Sequence, residues 1–414
     1  MNFESKRARK KAIIDRASCK RIKLDRRQIS AMKIGILTVD LSFNYGGILQ
    51  AYALQTYLKK NGHEAWMIIR DKSRQSLGFS AILKTSVNRL FGERPPSAWD
   101  NFNKEFICQN TNYFIRKYIN PITFTVENSN SMSWLDSYNF DAYIVGSDQV
   151  WRKTFGKNKG GFFRDSFESV FWSRPMFLDF VKSNKAKRIA YAASFGIDKW
   201  AYGRRSTKII TNLLHKFDAV SVREDCGVGI CKKYLGIEPK QVIDPTMLLS
   251  SSEYMELCEK EKTSPNKGNV MVYFLDKTKE KIAAAVVCKN NLIPFFVKDK
   301  TKSVKTLFEG KVYPPVTDWI RAFFDAKLIL TDSFHGCVFS ILFNKPFFVM
   351  ENAISGPARI HSLLKMFGLE GRLIRGLNEL TNSKLQERVD FGKVNKILKI
   401  KQKEAALFLQ KVLK

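Results

Sequence analysis

The sequence predicts two doubly wound α/β domains that face each other across a cleft. Short apolar strands alternate with helix-like segments in two blocks, one beginning at Lys33 and the other at Val270. A polar, lysine-containing run at 259–267 separates the blocks and is typical of a linker. The length of 414 residues suits two domains, each with its own hydrophobic core. We therefore expect domains at 32–262 and 266–380, with ligands bound beyond the carboxyl ends of the strands.

The first block reads as a series of strand-and-helix units. Its opening strand contains Ile34, Ile36 and Leu37, and a helix with apolar residues at near-helical spacing follows the loop 42–47 and stops at Gly62. Further strands are predicted at 66–69, 142–145, 188–192 and 219–222, and a helix at about 225–235 leads to the segment 242–245. The region 73–135 is aromatic, basic and irregular and does not follow the alternation of strands and helices. We interpret it as an insertion of helices and loops.

The second block repeats the same alternation after the linker. Its strands are predicted at 270–275, 292–297, 328–330 and 347–350. The segment 381–414 carries an amphipathic helix at about 394–413, which we expect to pack on one of the two domains.

Residues 1–31 differ from the rest of the chain in charge. Eleven Lys or Arg stand against three Asp or Glu, which gives this basic extension a net charge of +8. The apolar residues among them, such as Ile13 and Ile14, would suit an amphipathic helix at a membrane surface. A flexible solvated arm explains the same composition. So does a start codon assigned upstream of the natural one, because Met32 stands at the beginning of a well-formed strand.

The bulk composition excludes several classes of protein. A hydrophobic fraction of 44% and an aromatic fraction of 13% exclude a disordered or fibrous chain. No run approaches the roughly 20 apolar residues of a membrane span, and the N-terminus lacks the apolar core of a secretory signal. The seven cysteines are scattered without a Cys-x-x-Cys pair, which argues against both a zinc site and a disulfide framework. We expect a cytoplasmic protein with reduced thiols.

The charge is the least ordinary property of the chain. Seventy Lys and Arg against 39 Asp and Glu give +31, which predicts attraction to phosphates, acidic glycans, anionic lipid or nucleic acid. The basic residues are spread along the whole chain and form no recognised nucleic-acid module, so we expect no specific nucleic-acid partner.

Two segments of the first block place polar or small residues at strand ends. In Asn44-Tyr45-Gly46-Gly47, Gly46 and Gly47 let the backbone approach a ligand at a helix N-terminus, although a tight turn explains the same letters. In the segment 146–151, Asp148 could accept hydrogen bonds from sugar hydroxyls or act as a base, and Trp151 could stack on a sugar ring. An N-cap and a core tryptophan are equally consistent with that spacing.

Arginine and histidine follow the other strand ends. Arg223 after a strand can bind a carboxylate or phosphate, or can pair with the neighbouring acids Glu224 and Asp225. The sharpest segment is 328–337, where a buried strand leads into a helix whose first turn holds His335. Its side chain suits proton exchange with a substrate, although a lone histidine is more often structural.

Smaller features of the second block complete the set of candidates. Asp332 or Ser333 can cap the helix that carries His335, and the free amides around Gly336 can hold a phosphate. Arg359, at the start of a later helix, could reach the cleft or point into solvent.

Several of these segments, in this order, resemble the polysaccharide pyruvyl transferase family. The resemblance covers the chain from Met32 to about Arg375, apart from the region 73–135. Besides the strand and helix around the first loop, it is carried by the segments Asn44-Tyr45-Gly46-Gly47, Val145-Gly146-Ser147-Asp148-Gln149-Val150-Trp151, Tyr191-Ala192-Ala193-Ser194-Phe195-Gly196, Ser221-Val222-Arg223-Glu224, Asp244-Pro245-Thr246 and Thr331-Asp332-Ser333-Phe334-His335-Gly336.

The resemblance implies two Rossmann-like domains in an arrangement like glycosyltransferase type B. It also implies phosphoenolpyruvate as co-substrate, whose pyruvyl group becomes a cyclic ketal on two sugar hydroxyls in capsular, exopolysaccharide or cell-wall glycans, with no cofactor and no metal. The position of His335 is that of the family's proposed acid/base, and the position of Arg223 is that of a donor contact. We expect Asp148 to orient or deprotonate the acceptor, with Asn44, Gly46, Gly47 and Trp151 as loop or acceptor contacts.

The chain departs from the family pattern at one segment, and a second enzyme class is compatible with the same architecture. Some members have Arg-Leu-His where this chain has Ser333-Phe334-His335, so the phosphate contact must come from Ser333, the helix amides or Arg359. The rival is a glycosyltransferase of the same architecture with a nucleotide-sugar donor, for which Glu351 is the one candidate ribose ligand. With an anionic donor, the basic composition predicts an acceptor on a lipid diphosphate carrier at the anionic inner face of the membrane.

Overall fold

The computed structural model describes residues 30–70, 105–126, 132–153, 174–183, 185–297, 312–351 and 356–414. Most of the basic extension at 1–31 and much of the predicted insertion at 73–135 lie outside these residues.

The first sheet consists of parallel strands and confirms the first predicted α/β unit. Over the described residues it holds six strands in the order β2-β1-β3-β4-β5-β6. Their bounds are β1 (Lys33–Leu37), β2 (Glu64–Ile68), β3 (Ala142–Val145), β4 (Lys187–Ala193), β5 (Ala219–Val222) and β6 (Lys240–Gln241). Nearly every residue of β1, β3 and β4 is buried, as expected for strands covered by helices on both faces.

Two of the helices of this N-terminal half begin at a side-chain cap. The Asn44 side chain accepts a hydrogen bond from the Gly47 amide, and Ser250 forms a capping box with Glu253. The helices are α1 (Tyr45–Lys60), α2 (Gln109–Tyr118), α3 (Arg204–Leu214), α4 (Asp225–Ile230) and α5 (Ser251–Lys260), with shorter helical turns at Trp134–Tyr138, Arg174–Phe177, Cys231–Leu235 and Pro245–Leu248.

The second sheet is also parallel. Within the described ranges its strand order is β11-β10-β9-β7-β8, with β7 (Val270–Tyr273), β8 (Pro294–Phe295), β9 (Leu328–Thr331), β10 (Phe347–Met350) and β11 (Leu373–Ile374). Its helices are α6 (Lys277–Lys289), α7 (Val316–Asp325), α8 (Phe334–Leu342), α9 (Ala358–Phe367) and α10 (Asn382–Leu385), with short turns at Glu370–Arg372 and Leu377–Glu379. The predicted class, two doubly wound Rossmann-like units, is confirmed.

The last helix, α11 (Phe391–Val412), returns to the N-terminal half. Its Gln402 side chain donates to the Met247 carbonyl oxygen at 2.8 Å, and the Lys187 ammonium group donates to the Val412 carbonyl oxygen at 2.8 Å. The predicted amphipathic C-terminal helix therefore forms and packs on the first sheet unit.

Of the three apolar clusters formed by the described residues, one contains side chains from both halves. Tyr45 of α1 stacks on Trp319 of α7 with ring centroids 5.7 Å apart, and Tyr254 of α5 contacts Phe339 of α8 at 5.0 Å. The six cysteines of the described ranges are free thiols. None of the helices described is both long and apolar enough to cross a membrane.

Candidate active site

The strand orders fix where a ligand can bind. In each sheet the chain reverses its winding direction once, between β1 and β3 in the first sheet and between β7 and β9 in the second. Loops diverge at such a switch point and leave a crevice beyond the carboxyl ends of the strands. Because both sheets have this crevice, two switch points can face one ligand.

A cavity of about 470 Å³ lies where the loops after these four strands meet, and we call it the cleft cavity. It is lined by Phe43, Asn44, Tyr45, Gly46, Asp148, Gln149, Arg152, Tyr273, Leu275, Lys277, Tyr313, Ser333, Phe334, His335 and Arg359. Its size is within the usual range of small-molecule sites. No group of three or more His, Cys, Asp or Glu among the described residues is placed to hold a metal ion.

Six of the ten residues predicted for the site line the cleft cavity. They come from both halves of the chain and are Asn44, Gly46, Asp148, Ser333, His335 and Arg359. The other four, Gly47, Trp151, Arg223 and Gly336, do not line it.

His335 sits in the first turn of α8 and is 6% exposed. Its Nε2 atom lies 3.7 Å from the Oδ2 atom of Asp244. Its ring also packs against Gly46 of the opposite half, so closely that a Cβ atom on Gly46 would overlap the imidazole. The imidazole is therefore held between a carboxylate and a backbone that only glycine allows.

Asp244 is the centre of a buried polar network beneath the cleft cavity. Its carboxylate accepts hydrogen bonds from Arg223 at 2.7 Å, from the Thr246 hydroxyl at 2.7 Å and from the Ser147 hydroxyl at 3.1 Å. Burial alone would raise the pKa of Asp244, but its contact with His335 and the charge of Arg223 lower the pKa well below its ordinary value. Asp244 is therefore a carboxylate at neutral pH.

Arg223 supports this network and is not among the residues that line the cavity, so its contact with the donor stays a prediction. Its guanidinium pairs with Asp244 at 2.7 Å, and lies 3.7 Å from both Asp148 and Glu224. The end of β5 is covered by the C-terminal half, where the Phe334 ring lies 4.2 Å from the guanidinium carbon. Pairing with acids, the simpler sequence interpretation, is the one found, although the nearest acid is Asp244.

Asp148 lies between the two halves of the site. Its backbone has φ of +68°, a left-handed conformation that is strained for a residue other than glycine and that clusters at functional sites. Its Oδ2 atom accepts a hydrogen bond from the Asn44 amide at 3.4 Å, and its Oδ1 atom lies 3.6 Å from Arg359 Nη1.

Among the described residues, Arg359 is one of two arginines that line the cleft cavity, the other being Arg152. Its guanidinium carbon lies 5.6 Å from the centre of the Phe334 ring, on which Arg223 also packs. Burial, together with the positive charge of Arg223, lowers the pKa of Arg359 to about 10. Arg359 is still a cation at neutral pH.

The cap of α8 is Ser333, because its side-chain oxygen accepts a hydrogen bond from the Gly336 amide at 3.3 Å. The Gly336 amide is therefore already paired, and Gly336 itself packs against Thr331. Its contact with the donor stays a prediction. Asp332 instead accepts a hydrogen bond from the Leu275 amide at 2.6 Å and so fixes the loop after β7.

Trp151 is a core residue and does not line the cleft cavity. The side chain is fully buried, stacks on Phe177 at 5.5 Å and donates its indole N–H to the Met176 carbonyl oxygen at 2.9 Å. Gly47, the other first-loop glycine, contributes its amide to the Asn44 cap.

Several residues of the site were not singled out as candidates. Asp244 stood in a quoted motif without a role, and its following proline, a helix-start signal, indicates only that it caps a turn. Lys277, the first residue of α6, and Arg152, in the loop after β3, also line the cavity. Phe43, next to the first predicted motif, had no pattern to separate it from an ordinary loop residue.

Replacing Gly46 by alanine is expected to lower turnover about tenfold, because the added methyl group overlaps the His335 ring and must displace it. Steady-state rates of Gly46→Ala against wild type test this. The matched control is Gly229→Ala, where an added Cβ meets no atom within 4 Å. Equal rates for wild type and Gly46→Ala would show that the contact is unimportant.

Two facing switch points around one polar cavity define a two-domain Rossmann-like α/β protein with its site in the cleft. A family model for polysaccharide pyruvyl transferases matches residues 44–353, and the chain belongs to this family. The match contains every residue described above as lining the cavity except Phe43 and Arg359. Membership supports transferase activity.

Comparison with solved structures finds distant likenesses over most of the chain. UDP-N-acetylglucosamine 2-epimerase from Rickettsia bellii is 11% identical, with a TM-score of 0.47 over 92% of this chain and 97% of that one. The UDP-GlcNAc 2-epimerase from Methanocaldococcus jannaschii is 12% identical, with a TM-score of 0.46 over 90% and 93%. Anabaena HepE, in complex with UDP and glucose, is 12% identical with a TM-score of 0.43 over 91% and 95%. No curated protein gives a significant match.

Proposed function

We propose that the protein transfers the pyruvyl group of phosphoenolpyruvate onto two hydroxyls of a sugar and closes a cyclic ketal. The observation that carries this proposal is the position of His335 in a cavity lined by cationic side chains from both halves. The acceptor would belong to a capsular, exopolysaccharide or cell-wall glycan.

The charges of the cleft cavity suit a small dianionic donor. Arg152, Lys277, Arg359 and His335 line it, against one carboxylate, Asp148. Phosphoenolpyruvate carries a phosphate and a carboxylate, and both groups are bound best by fixed cations and oriented N–H groups. The N-terminus of α8 adds its helix dipole to this charge. Some family members have an arginine at the position of Ser333. In this chain, Arg359 would provide the guanidinium group that binds the phosphate.

The reaction needs one acid and one base. Protonated His335 donates a proton to the methylene carbon of phosphoenolpyruvate, which becomes a methyl group and leaves an oxocarbenium-like centre at the neighbouring carbon. The first sugar hydroxyl attacks this centre and gives its proton to Asp148. The second hydroxyl then attacks the same carbon, and the bond from carbon to the phosphate oxygen breaks.

The proton balance closes over one turnover. The proton that Asp148 takes from the first hydroxyl passes to His335 and replaces the one given to the methyl group, and the proton of the second hydroxyl leaves with inorganic phosphate. Asp244 would orient the imidazole for this transfer, because its carboxylate lies 3.7 Å from His335 Nε2.

The rival donor, a nucleotide sugar, would need a free carboxylate for its ribose. The Glu351 carboxylate is paired with His361, whose Nε2 lies 2.5 Å from its Oε1 atom. This pairing favours the phosphoenolpyruvate proposal.

Calorimetry is expected to show binding of phosphoenolpyruvate and none of UDP-glucose. Arg359→Gln is expected to weaken phosphoenolpyruvate binding about tenfold or more, because it removes a buried cation from the cavity. The matched control is Arg205→Gln, which removes the same charge from an exposed position on α3. Heat with UDP-glucose and none with phosphoenolpyruvate would refute the proposed donor.

The location follows from the same chemistry. We place the reaction at the cytoplasmic face of the membrane, on an acceptor carried by a lipid diphosphate. The support is the net charge of +31, since each basic residue near an anionic surface adds about 1 kcal/mol of attraction.

A further inference from the structure

We propose that Phe43 and Tyr313 form an aromatic platform that binds a sugar ring of the acceptor glycan at the rim of the cleft cavity. The inference rests on the proposed function, because it takes the acceptor to be a sugar. It assigns to this platform the role that the sequence had suggested for Trp151.

Phe43 is an exposed aromatic residue at a site boundary. Its side chain is 53% exposed, although it lies in the loop directly before the α1 cap and lines the cleft cavity. Exposure of so much apolar ring surface beside a polar cavity leaves that surface available to a ligand.

The platform spans both halves of the chain. The rings of Phe43 and Tyr313 are stacked, with centroids 5.7 Å apart and planes inclined by 17°. Phe43 follows β1 of the first sheet, and Tyr313 precedes α7 of the second. In this stacked pair, Tyr313 supports one face of the Phe43 ring, and the opposite face of Phe43 is the one that can contact a sugar.

The segment around Tyr313 is held in place by hydrogen bonds. The Tyr313 amide donates to the Ile107 carbonyl oxygen at 2.9 Å, and the Asn110 side chain donates to the Tyr313 carbonyl oxygen at 2.9 Å. The Tyr45 hydroxyl donates to the Pro314 carbonyl oxygen at 3.0 Å. A platform fixed in this way loses little conformational freedom when a ligand binds.

The groups beside the platform suit a sugar. A pyranose has an apolar C–H face and a rim of hydroxyls, so it needs an aromatic surface together with amide and carboxylate groups. Asn44 follows Phe43 directly, and its amide nitrogen lies 3.4 Å from Asp148. The aromatic surface and the polar groups therefore adjoin each other.

Asp148 separates two chemically different parts of the cavity. One of its oxygens faces Asn44, next to the platform, and the other lies 3.6 Å from Arg359. A sugar stacked on Phe43 would thus place its hydroxyls toward Asp148, with the anionic donor on the Arg359 side. This arrangement brings the acceptor hydroxyls to the proposed base.

The test is binding of the full-length protein, with phosphoenolpyruvate present, to a microarray of immobilised bacterial oligosaccharides. We expect wild type to bind a subset of these glycans and Phe43→Ala to lose about tenfold or more in apparent affinity. Phe43→Trp should retain binding, because it keeps an aromatic face. The matched control is Phe324→Ala, since Phe324 is 47% exposed but does not line the cavity.

The outcomes separate this inference from the proposed donor. Unchanged glycan binding by Phe43→Ala would overturn the platform, as would the absence of any glycan binding by a wild type that still binds phosphoenolpyruvate in calorimetry. Glycan binding that depends on Phe43, in a protein that gives no heat with phosphoenolpyruvate, would support the platform and refute the donor.

Discussion

Replacing His335 by glutamine is expected to reduce pyruvyl transfer by about a hundredfold or more, the usual contribution of a general acid. Glutamine keeps a polar side chain of similar length but cannot deliver a proton at neutral pH. The rate of phosphate release from phosphoenolpyruvate, with acceptor glycan present, measures the effect. Phosphoenolpyruvate binding should change much less than turnover, because the fixed cations of the cavity remain.

The chain offers a matched control for this substitution. His361 is exposed and pairs with Glu351 outside the cleft cavity, so His361→Gln should keep wild-type turnover. A His335→Gln protein with turnover near that of wild type would remove His335 from the mechanism. Equal losses in both variants would point to a general effect of losing a histidine.

Replacing Asp244 by asparagine is expected to lower the free energy of unfolding by about 3 kcal/mol or more. The substitution leaves Arg223 buried without its nearest counter-charge, and breaking a buried ion pair typically costs about 3–5 kcal/mol. Urea unfolding of the variant against wild type measures the loss. Lys365→Gln breaks an ion pair between exposed side chains and should shift the midpoint very little.

The same pair of proteins gives a pH dependence of defined sign. The pKa of Asp244 is lower in the folded protein than in the unfolded chain, where it is about 3.9. Its stabilisation is therefore fully present above that pH and is lost as the pH falls further. The stability difference between wild type and Asp244→Asn should stay constant from about pH 8 to 5 and shrink below about pH 4; a constant difference down to pH 2 would contradict this.

The fold was predictable because buried parallel strands carry a strong pattern. Strand β3, Ala142–Val145, was predicted with its observed bounds, since a short apolar run between polar turns indicates a buried strand. Strand β6 was missed. Its residues, Lys240 and Gln241, pair with β5 although the apolar residues are Val242 and Ile243 just beyond. An apolar pattern indicates which residues are buried. Hydrogen bonding between strands can involve neighbouring residues that are polar, and this is why the pattern did not reveal β6.

The site was predictable in location but less so in detail. Strand ends select loops, so Asn44, Asp148 and His335 could be found from their positions along the chain. Whether a side chain then points into the cavity depends on packing from the other half. For this reason the sequence did not reveal that Trp151 packs in the core, or that Arg223 pairs with Asp244, a partner 21 residues away.

The return of α11 to the first sheet makes the C-terminal half an insertion within the N-terminal one. The chain leaves after α5 and comes back through α11, so two covalent crossings connect the halves. These two crossings and the apolar cluster shared by the two halves oppose twisting of one half against the other. Gly46 and His335, on opposite walls of the cleft cavity, are therefore held in register with each other.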